Sequence, residues 1–501
     1  VSTAEDVRGE DAASTAEDGW ARLLRLLDER EIVLRTTGER LGYLAPAGAM
    51  DEEVTGLVRA HRDRLLTILT GAGKALSAAP AGVTQWRLHK AHGDAADPAV
   101  WNILQRITLR GPLEPGRLAA ALTAVTERHE SLRTRFVDTE LGGLQQVLPN
   151  TPLDVPVEDL RGLAPAERDA ALAAALEAEV GRPFDLTAPP LLRARLLRPA
   201  AQEWVLLLTI HHIALDGWSL ATVLADLSAL YRTGGPLPGE AGRMTDHACW
   251  ERTVVNRASM AAAADHWAKT LGGASLSVDV PTDRPRPERR SGHGETAEFR
   301  IPAAVAEEIG RYAAARSTTA SAVVVAAFAR LLGSLSGSPE VLILLSNANR
   351  RRPVDEQVVG LLTSSMPILV PTRGESGFAG LVDRAAEAIA SALDHSLMPF
   401  GLLVEPLRER GVPMPVGYPQ IVLAVQSTPP ITLDLPGLTV EIEDIPGHSA
   451  RADCAFSLTP DADGYLGQVE YDADLFDPGT VRGWLDALVA DLARQLEVPL
   501  A

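Results

Sequence analysis

Cysteine is nearly missing: Cys249 and Cys454 are the only two in 501 residues, and they stand in unrelated contexts. That excludes a disulfide framework and fits a reducing compartment. No apolar run approaches the roughly 18 residues of a membrane span, and no signal peptide opens the chain, so a cytoplasmic location is expected. Positive charge is also in deficit. The 47 Lys and Arg against 66 Asp and Glu give a net charge of −19, which argues against nucleic acid and against a standing contact with anionic lipid. Aromatic residues, at 4%, are scarce beside abundant Ala, Leu, Val and Arg, a compositional bias without functional content. What is present, 46% hydrophobic and 23% charged residues, describes a soluble globular chain too long for one core, so two or three domains are expected.

Residues 1–18 are acidic and small, repeat "STAED", and are expected to be disordered. Residues 19–70 form a mini-domain: a helix carrying Trp20, Leu23, Leu24 and Leu27, two short strands turning at Thr37-Gly38, and one helix capped by Asp51 with Val54, Leu57, Val58, Leu65, Leu66 and Leu69 as its stripe. Residues 71–82 ("GAGKALSAAPAG") read as a small, flexible linker. Beyond it, helical and strand patterns alternate twice, which predicts two α/β lobes, at 83–255 and 256–497, with a Pro- and Arg-rich surface crossover at 281–292.

One stretch concentrates polar residues between apolar runs: "LLLTIHHIALDGWSLATVL", residues 206–224. Adjacent side chains of a strand point to opposite faces, so His211 and His212 cannot reach one point. The ligand set for a metal is incomplete, and no metal is expected. Neither a G-x-S-x-G nor a paired cysteine supplies a nucleophile, and Ser219 fits a helix cap. Two readings stay open. Either one imidazole does general acid–base work, with Asp216 orienting it or anchoring the loop through an arginine and Gly217 permitting a tight turn, or all of them are structural.

"HHIALDG" matches the HHxxxDG signature of the condensation domains of nonribosomal peptide synthetases. Flanking motifs occur in the family's order: "TQWRLH" (84–89), "RHESLRTRF" (128–136), "RPFDLTAPPLLRARLLR" (182–198), "TDHACWER" (245–252), "PTDRPRP" (281–287), "VGLLTSSMPI" (359–368) and "HSLMPF" (395–400). The chain resembles that family from about 82 to 495. Departures cluster in the second lobe, where Leu362, Thr363, Ser364 and Ser365 replace the usual Phe-Val-Asn-Thr and Ser396-Leu397 replaces Gln-Asp; His89 stands for the first motif's tryptophan. These point to an unusual substrate. The N-terminal mini-domain resembles TubC-type docking domains through "GYLAPAGAMDEE".

The resemblance implies an α/β (α+β) fold of two chloramphenicol-acetyltransferase-like lobes forming a V-shaped pseudo-dimer, plus a small N-terminal α/β docking domain. It implies amide formation between a donor acyl thioester and the amine of an acceptor aminoacyl thioester. Both ride on the phosphopantetheine arms of partner carrier proteins, and no cofactor binds the chain directly. By the same resemblance His212 acts on the amine and Gly217 N–H is an oxyanion donor. His211 supports the motif, and Asp216 pairs with an arginine of the second motif, Arg128 or Arg133. Gln85, Trp218, Ser364, Ser365, Met366 and His395 become candidates for the substrate channel. The docking domain is expected to take the tail of an upstream subunit on its hairpin edge, with Arg35 and Arg40 meeting acidic residues. The downstream partner is the acceptor carrier domain. "LEVPLA" at the end reads as the start of a linker, as in a piece of a longer module. Alternatives are an ester-forming acyltransferase of the same superfamily and a non-catalytic platform that recruits a carrier.

Overall fold

The computed structural model describes residues 4–288, 290–374, 377–414, 419–426, 429 and 431–499, with side chains from Glu17 onward. Three sheets organise them. At the centre of one lobe lies the strand Glu203–His211, buried along nearly its whole length. Leu206, Leu208 and Ile210 face one apolar cluster, packed under the helices Pro115–Arg128 and Gly217–Thr233. Val205 and Leu207 face a second cluster under Pro165–Val180. Helices on both faces explain why this strand reads as a continuous apolar run instead of an alternating one. Its sheet has five strands: Thr439–Ile445, Asn102–Arg110, Glu203–His211, Leu192–Ala200 and Val157–Asp159.

The first of those strands breaks the expected division into 83–255 and 256–497. Thr439–Ile445 belongs to the second half of the chain, yet it pairs antiparallel with Asn102–Arg110, from Thr439 against Arg110 to Ile445 against Leu104. Left alone, Asn102–Arg110 would expose a row of backbone donors and acceptors at a sheet edge, and the crossing strand satisfies them. Leu433 and Leu435 enter the first lobe's core with it. The second lobe has its own six-stranded sheet and core, in which residues 322–329 of the helix Ala320–Ser336 are buried on every side. Among the described residues, no single helix is long and apolar enough to cross a membrane.

The N-terminal module differs from expectation at three places. A helix spans Ala4–Glu29, so most of the acidic leader expected to be disordered continues into it; residues 1–3 lie outside the described residues. The helix expected from Asp51 is two, Glu52–Ala60 and Arg62–Thr70, divided at His61. The expected flexible linker contains a strand, Ser77–Pro80, which pairs with Val33–Thr37 on one side and Gly142–Val147 on the other. Ser77, Ala78 and Ala79 are buried there, so the small residues that resemble a linker are what lets this strand fit between two packed layers. One five-stranded sheet therefore runs from the hairpin edge Arg40–Leu44 into the first lobe.

Because Ala78 is 1% exposed between module and lobe, Ala78→Leu should overpack the junction and cost about 1–3 kcal/mol, read as a lower urea midpoint. An unchanged midpoint would show that the junction is loose.

Candidate functional site

The seam forms where Glu203–His211 ends. A short 3-10 turn, His212–Ala214, follows, and then the helix Gly217–Thr233. The two histidines do part, but strand alternation is not the cause: the strand ends at His211, and His212 is turned away by the 3-10 turn that it opens. His211 is wholly buried, and its Nδ1 accepts the Ile213 N–H at 3.1 Å. His212 is half-buried; its Nδ1 donates to the Leu215 carbonyl at 2.8 Å, since a carbonyl can only accept. In the neutral ring this leaves the lone pair on Nε2, which has no partner among the described residues. Burial foremost, then the Arg451 guanidinium, holds the His212 imidazole below its ordinary 6.5, against the opposing pull of the Leu215 carbonyl. Arg451 lies 5.5 Å above the ring of Trp101, the residue preceding the strand that pairs with His211 through Asn102.

Asp216 caps the following helix by accepting the Ser219 N–H at 2.9 Å, and it is 1% exposed. Its arginine partner comes from the second lobe. Arg350 donates through Nη1 at 2.6 Å and Nη2 at 2.9 Å, a bidentate pair. The Leu362 N–H, the Thr363 N–H and the Thr363 hydroxyl each add a bond at 3.1 Å. Burial would raise this carboxyl; Arg350 and the Ser219 donors outweigh it and hold the group below the usual carboxylate range. Arg350 is aimed by an Asx turn: the Asn347 side chain accepts the Asn349 N–H at 3.0 Å, with Asn349 at φ 53°, in the left-handed region that asparagine tolerates.

The expectation that Arg128 or Arg133 pairs with Asp216 is therefore wrong. Arg128 bonds Asp226 at 2.8 Å. Asp226 lies ten residues beyond Asp216 on the same helix, about 15 Å along its axis. Arg133 points away and donates to the carbonyls of Leu148 and Glu127. The channel candidates also separate. Gln85 is 1% exposed and is a bracket behind the seam instead of a channel wall: its Nε2 donates to the Ile213 carbonyl at 3.2 Å. Trp218 is half-buried, donates to the Glu356 carbonyl at 3.1 Å and lies 5.5 Å from Arg350. Met366 is packed in the second lobe's core, and strand alternation puts buried Ser364 on that same face, with Ser365 on the other. His395 stacks on His266 at 3.4 Å and joins none of the seam residues. Gly217 opens the helix without a left-handed φ, and a Cβ there would meet Gln426 only at 3.7 Å, so backbone strain does not demand glycine. Arg35 is engaged at 2.7 Å by Asp246 of the first lobe and is not held out for a tail, whereas Arg40 is exposed on the hairpin's outer strand.

Sequence reasoning missed Arg350 and singled out Thr363 only as a departure from the family's motif, not as a donor to Asp216. The run Arg350-Arg351-Arg352 directly after the buried strand Glu340–Asn347 was the available signal for the first. Among the described residues no group of three or more His, Cys, Asp or Glu is placed to hold a metal ion.

A condensation-domain profile matches residues 78–501 and a TubC N-terminal docking-domain profile matches residues 21–70. The chain belongs to the condensation-domain family. Malpibaldin synthetase of Mortierella alpina is 32% identical over 415 residues, 80% of this chain and 7% of that protein. The isonitrile lipopeptide synthase of Mycobacterium tuberculosis is 31% identical over 501 residues, 95% of this chain and 20% of that protein. This condensation domain and its docking module thus span a small part of these synthetases. In fold, they match the cyclization-docking bidomain of EpoB from Sorangium cellulosum, with a TM-score of 0.71 at 21% identity, over 96% of this chain and 99% of that one.

Arg350→Leu should leave the Asp216 carboxylate buried without its cation and cost about 3–5 kcal/mol in urea unfolding. Acid should act in the direction set by the depressed carboxyl. The stabilisation is complete above about pH 3.9, the unfolded value, and is lost as pH falls through the lower native value.

Proposed function

We propose that this domain joins a donor acyl thioester to the amine of an acceptor aminoacyl thioester, both presented on phosphopantetheine arms of carrier proteins. The observation that carries the reading is the His212 ring. Its Nδ1–H is committed to the Leu215 carbonyl, so Nε2 offers a lone pair at a seam built from both lobes. In the proposed reaction the amine nitrogen bonds to the thioester carbon, and Nε2 takes the amine proton. The Gly217 N–H, at a helix start where no intrahelical partner is available, faces the oxyanion. When the C–S bond breaks, the departing thiolate takes the proton from His212. Holding both thioesters in line supplies much of the acceleration, because aminolysis of a thioester is intrinsically favourable.

The domain division belongs to the same reading, amended by the crossing strand. The N-terminal module takes the tail of an upstream subunit by strand addition along Arg40–Leu44, where Tyr43 is 55% exposed. The downstream carrier delivers the acceptor. The free, buried thiols of Cys249 and Cys454 fit the reducing cytoplasm in which we place this chemistry.

The test is intact-protein mass spectrometry of an acceptor carrier incubated with a donor-loaded carrier. The acceptor should gain the donor acyl mass, and His212→Ala should slow that gain roughly 10²- to 10⁴-fold. Full turnover by His212→Ala would remove the assigned role. Transfer from free acyl-CoA to an alcohol, without carriers, would favour ester formation instead. Carrier binding without acyl transfer would favour a recruiting platform. Because the imidazole is held below 6.5 and acts when neutral, its ionisation should lower the rate only below that pH, as pH drops through the lower site value. A rate that rises on acidification would contradict a basic Nε2.

A further inference from the structure

The helix Val83–Asp94 lies behind the catalytic turn and touches it at two points. Gln85 donates to the Ile213 carbonyl, and two helical turns further on His92 presents Nδ1 to His211 Nε2 at 3.2 Å. The two rings meet edge to face, with centroids 5.0 Å apart and planes at 77°; Phe184 closes on His211 from another direction at 5.9 Å.

The direction of this histidine–histidine bond follows from its neighbour. The Ile213 N–H can only donate, and it points at His211 Nδ1 at 3.1 Å. That nitrogen must carry the lone pair. Burial drives the His211 imidazole well below its ordinary 6.5, so the ring is neutral and its single proton lies on Nε2. Nε2–H then donates to His92 Nδ1, and His92 carries its own proton on Nε2. Without that acceptor, His211 has two poor choices. It can leave an N–H unpaired in a site with 0% exposure. Or it can move the proton to Nδ1 and set it against the Ile213 N–H, which displaces the turn that carries His212.

We infer that His92 is a positioning residue: by accepting the Nε2–H of His211 it fixes the tautomer of His211, and through the Ile213 N–H it sets the direction in which His212 presents Nε2. The kinetic consequence rests on the amide-forming reading of His212; the proton placement does not. His89, one turn earlier on the same helix, does not share the task, since it stacks on Trp86 at 4.8 Å and its Nδ1 has no partner.

Imidazole ¹⁵N shifts of the full chain labelled with ring-¹⁵N histidine test this directly, with signals assigned through His92→Asn and His211→Asn. Both His211 and His92 should show an unprotonated Nδ1 and a protonated Nε2. In carrier-loaded turnover, His92→Leu should lower kcat about tenfold at unchanged KM, and His92→Asn, whose Oδ1 can take the place of Nδ1 as acceptor, should return kcat to within about threefold. If His92→Leu does not fold, the wild-type spectrum and the His92→Asn rate decide. A proton on His211 Nδ1, a wild-type kcat in His92→Leu, or a His92→Asn as slow as His92→Leu would overturn the inference. A chain that forms no amide yet carries the His211 proton on Nε2 would refute the proposed function and support this one.

Discussion

A carboxylate withdrawn from water is tolerable only when donors replace the water. At Asp216 those donors come from two lobes: Ser219 on its own helix, and Arg350, Leu362 and Thr363 from the other half of the chain. The loss of hydration is thereby offset in one closed arrangement only. If the lobes separated at this point, Asp216 would lose its cation and three further donors together. The pair accordingly acts as a registration device as much as a source of stability. It brings the segment Arg350–Thr363 against the first lobe, where Trp218 bonds the Glu356 carbonyl, His247 meets Asp355 at 3.0 Å, and Gly242 bridges Val358. His212 lies four residues before Asp216 on the same short loop, so whatever fixes the aspartate also limits where the imidazole can go.

Two kinds of support therefore meet at that loop. From the front, the second lobe holds Asp216. From behind, Gln85 and His92 hold the turn through the Ile213 carbonyl and His211. The Leu215 carbonyl then fixes the proton on His212 Nδ1. Each bond runs in one direction only, because backbone groups at Ile213 and Leu215 cannot reverse donor and acceptor. Two buried or half-buried imidazoles that could each exist in two tautomers are reduced to one state. At His212, burial and the Arg451 guanidinium keep the ring neutral against the opposing pull of the Asp216 carboxylate.

What the chain made legible in advance was local. The Asp216-Gly217 junction announced a helix start, and the buried strand declared itself by an unbroken apolar run, whereas the 3-10 turn that parts His212 from His211 was not legible in the strand pattern. The partner of Asp216 was not legible, because Arg350 is 134 residues away and the nearer arginines of "RHESLRTRF" were chemically just as suitable. Only the packing of Pro115–Arg128 against Gly217–Thr233 reveals that Arg128 meets Asp226 instead. Composition likewise misled at 71–82. Alanine and serine signify flexibility when nothing packs on them, and close approach when something does, and the sequence alone does not distinguish the cases.

That last ambiguity bears on how the module and the lobe work together. A docking module on a loose tether would contribute effective concentration alone, with no fixed geometry between its partner and the reaction seam. Here the tether is itself a strand, hydrogen-bonded to the module's hairpin through Thr36 and to the first lobe through Ala78 and Gln146. Arg35 ties the hairpin to Asp246, and Arg257, at the start of the helix Arg257–Leu271, reaches Asp28 at 2.7 Å. A strand added at Arg40–Leu44 would thus extend a sheet that is continuous with the first lobe. Its position relative to His212 would be set by sheet geometry, which is stiff, and not by the statistics of a linker. The same hydrogen bonds that close the edge of Gly142–Val147 would therefore convert the proposed recruitment into orientation.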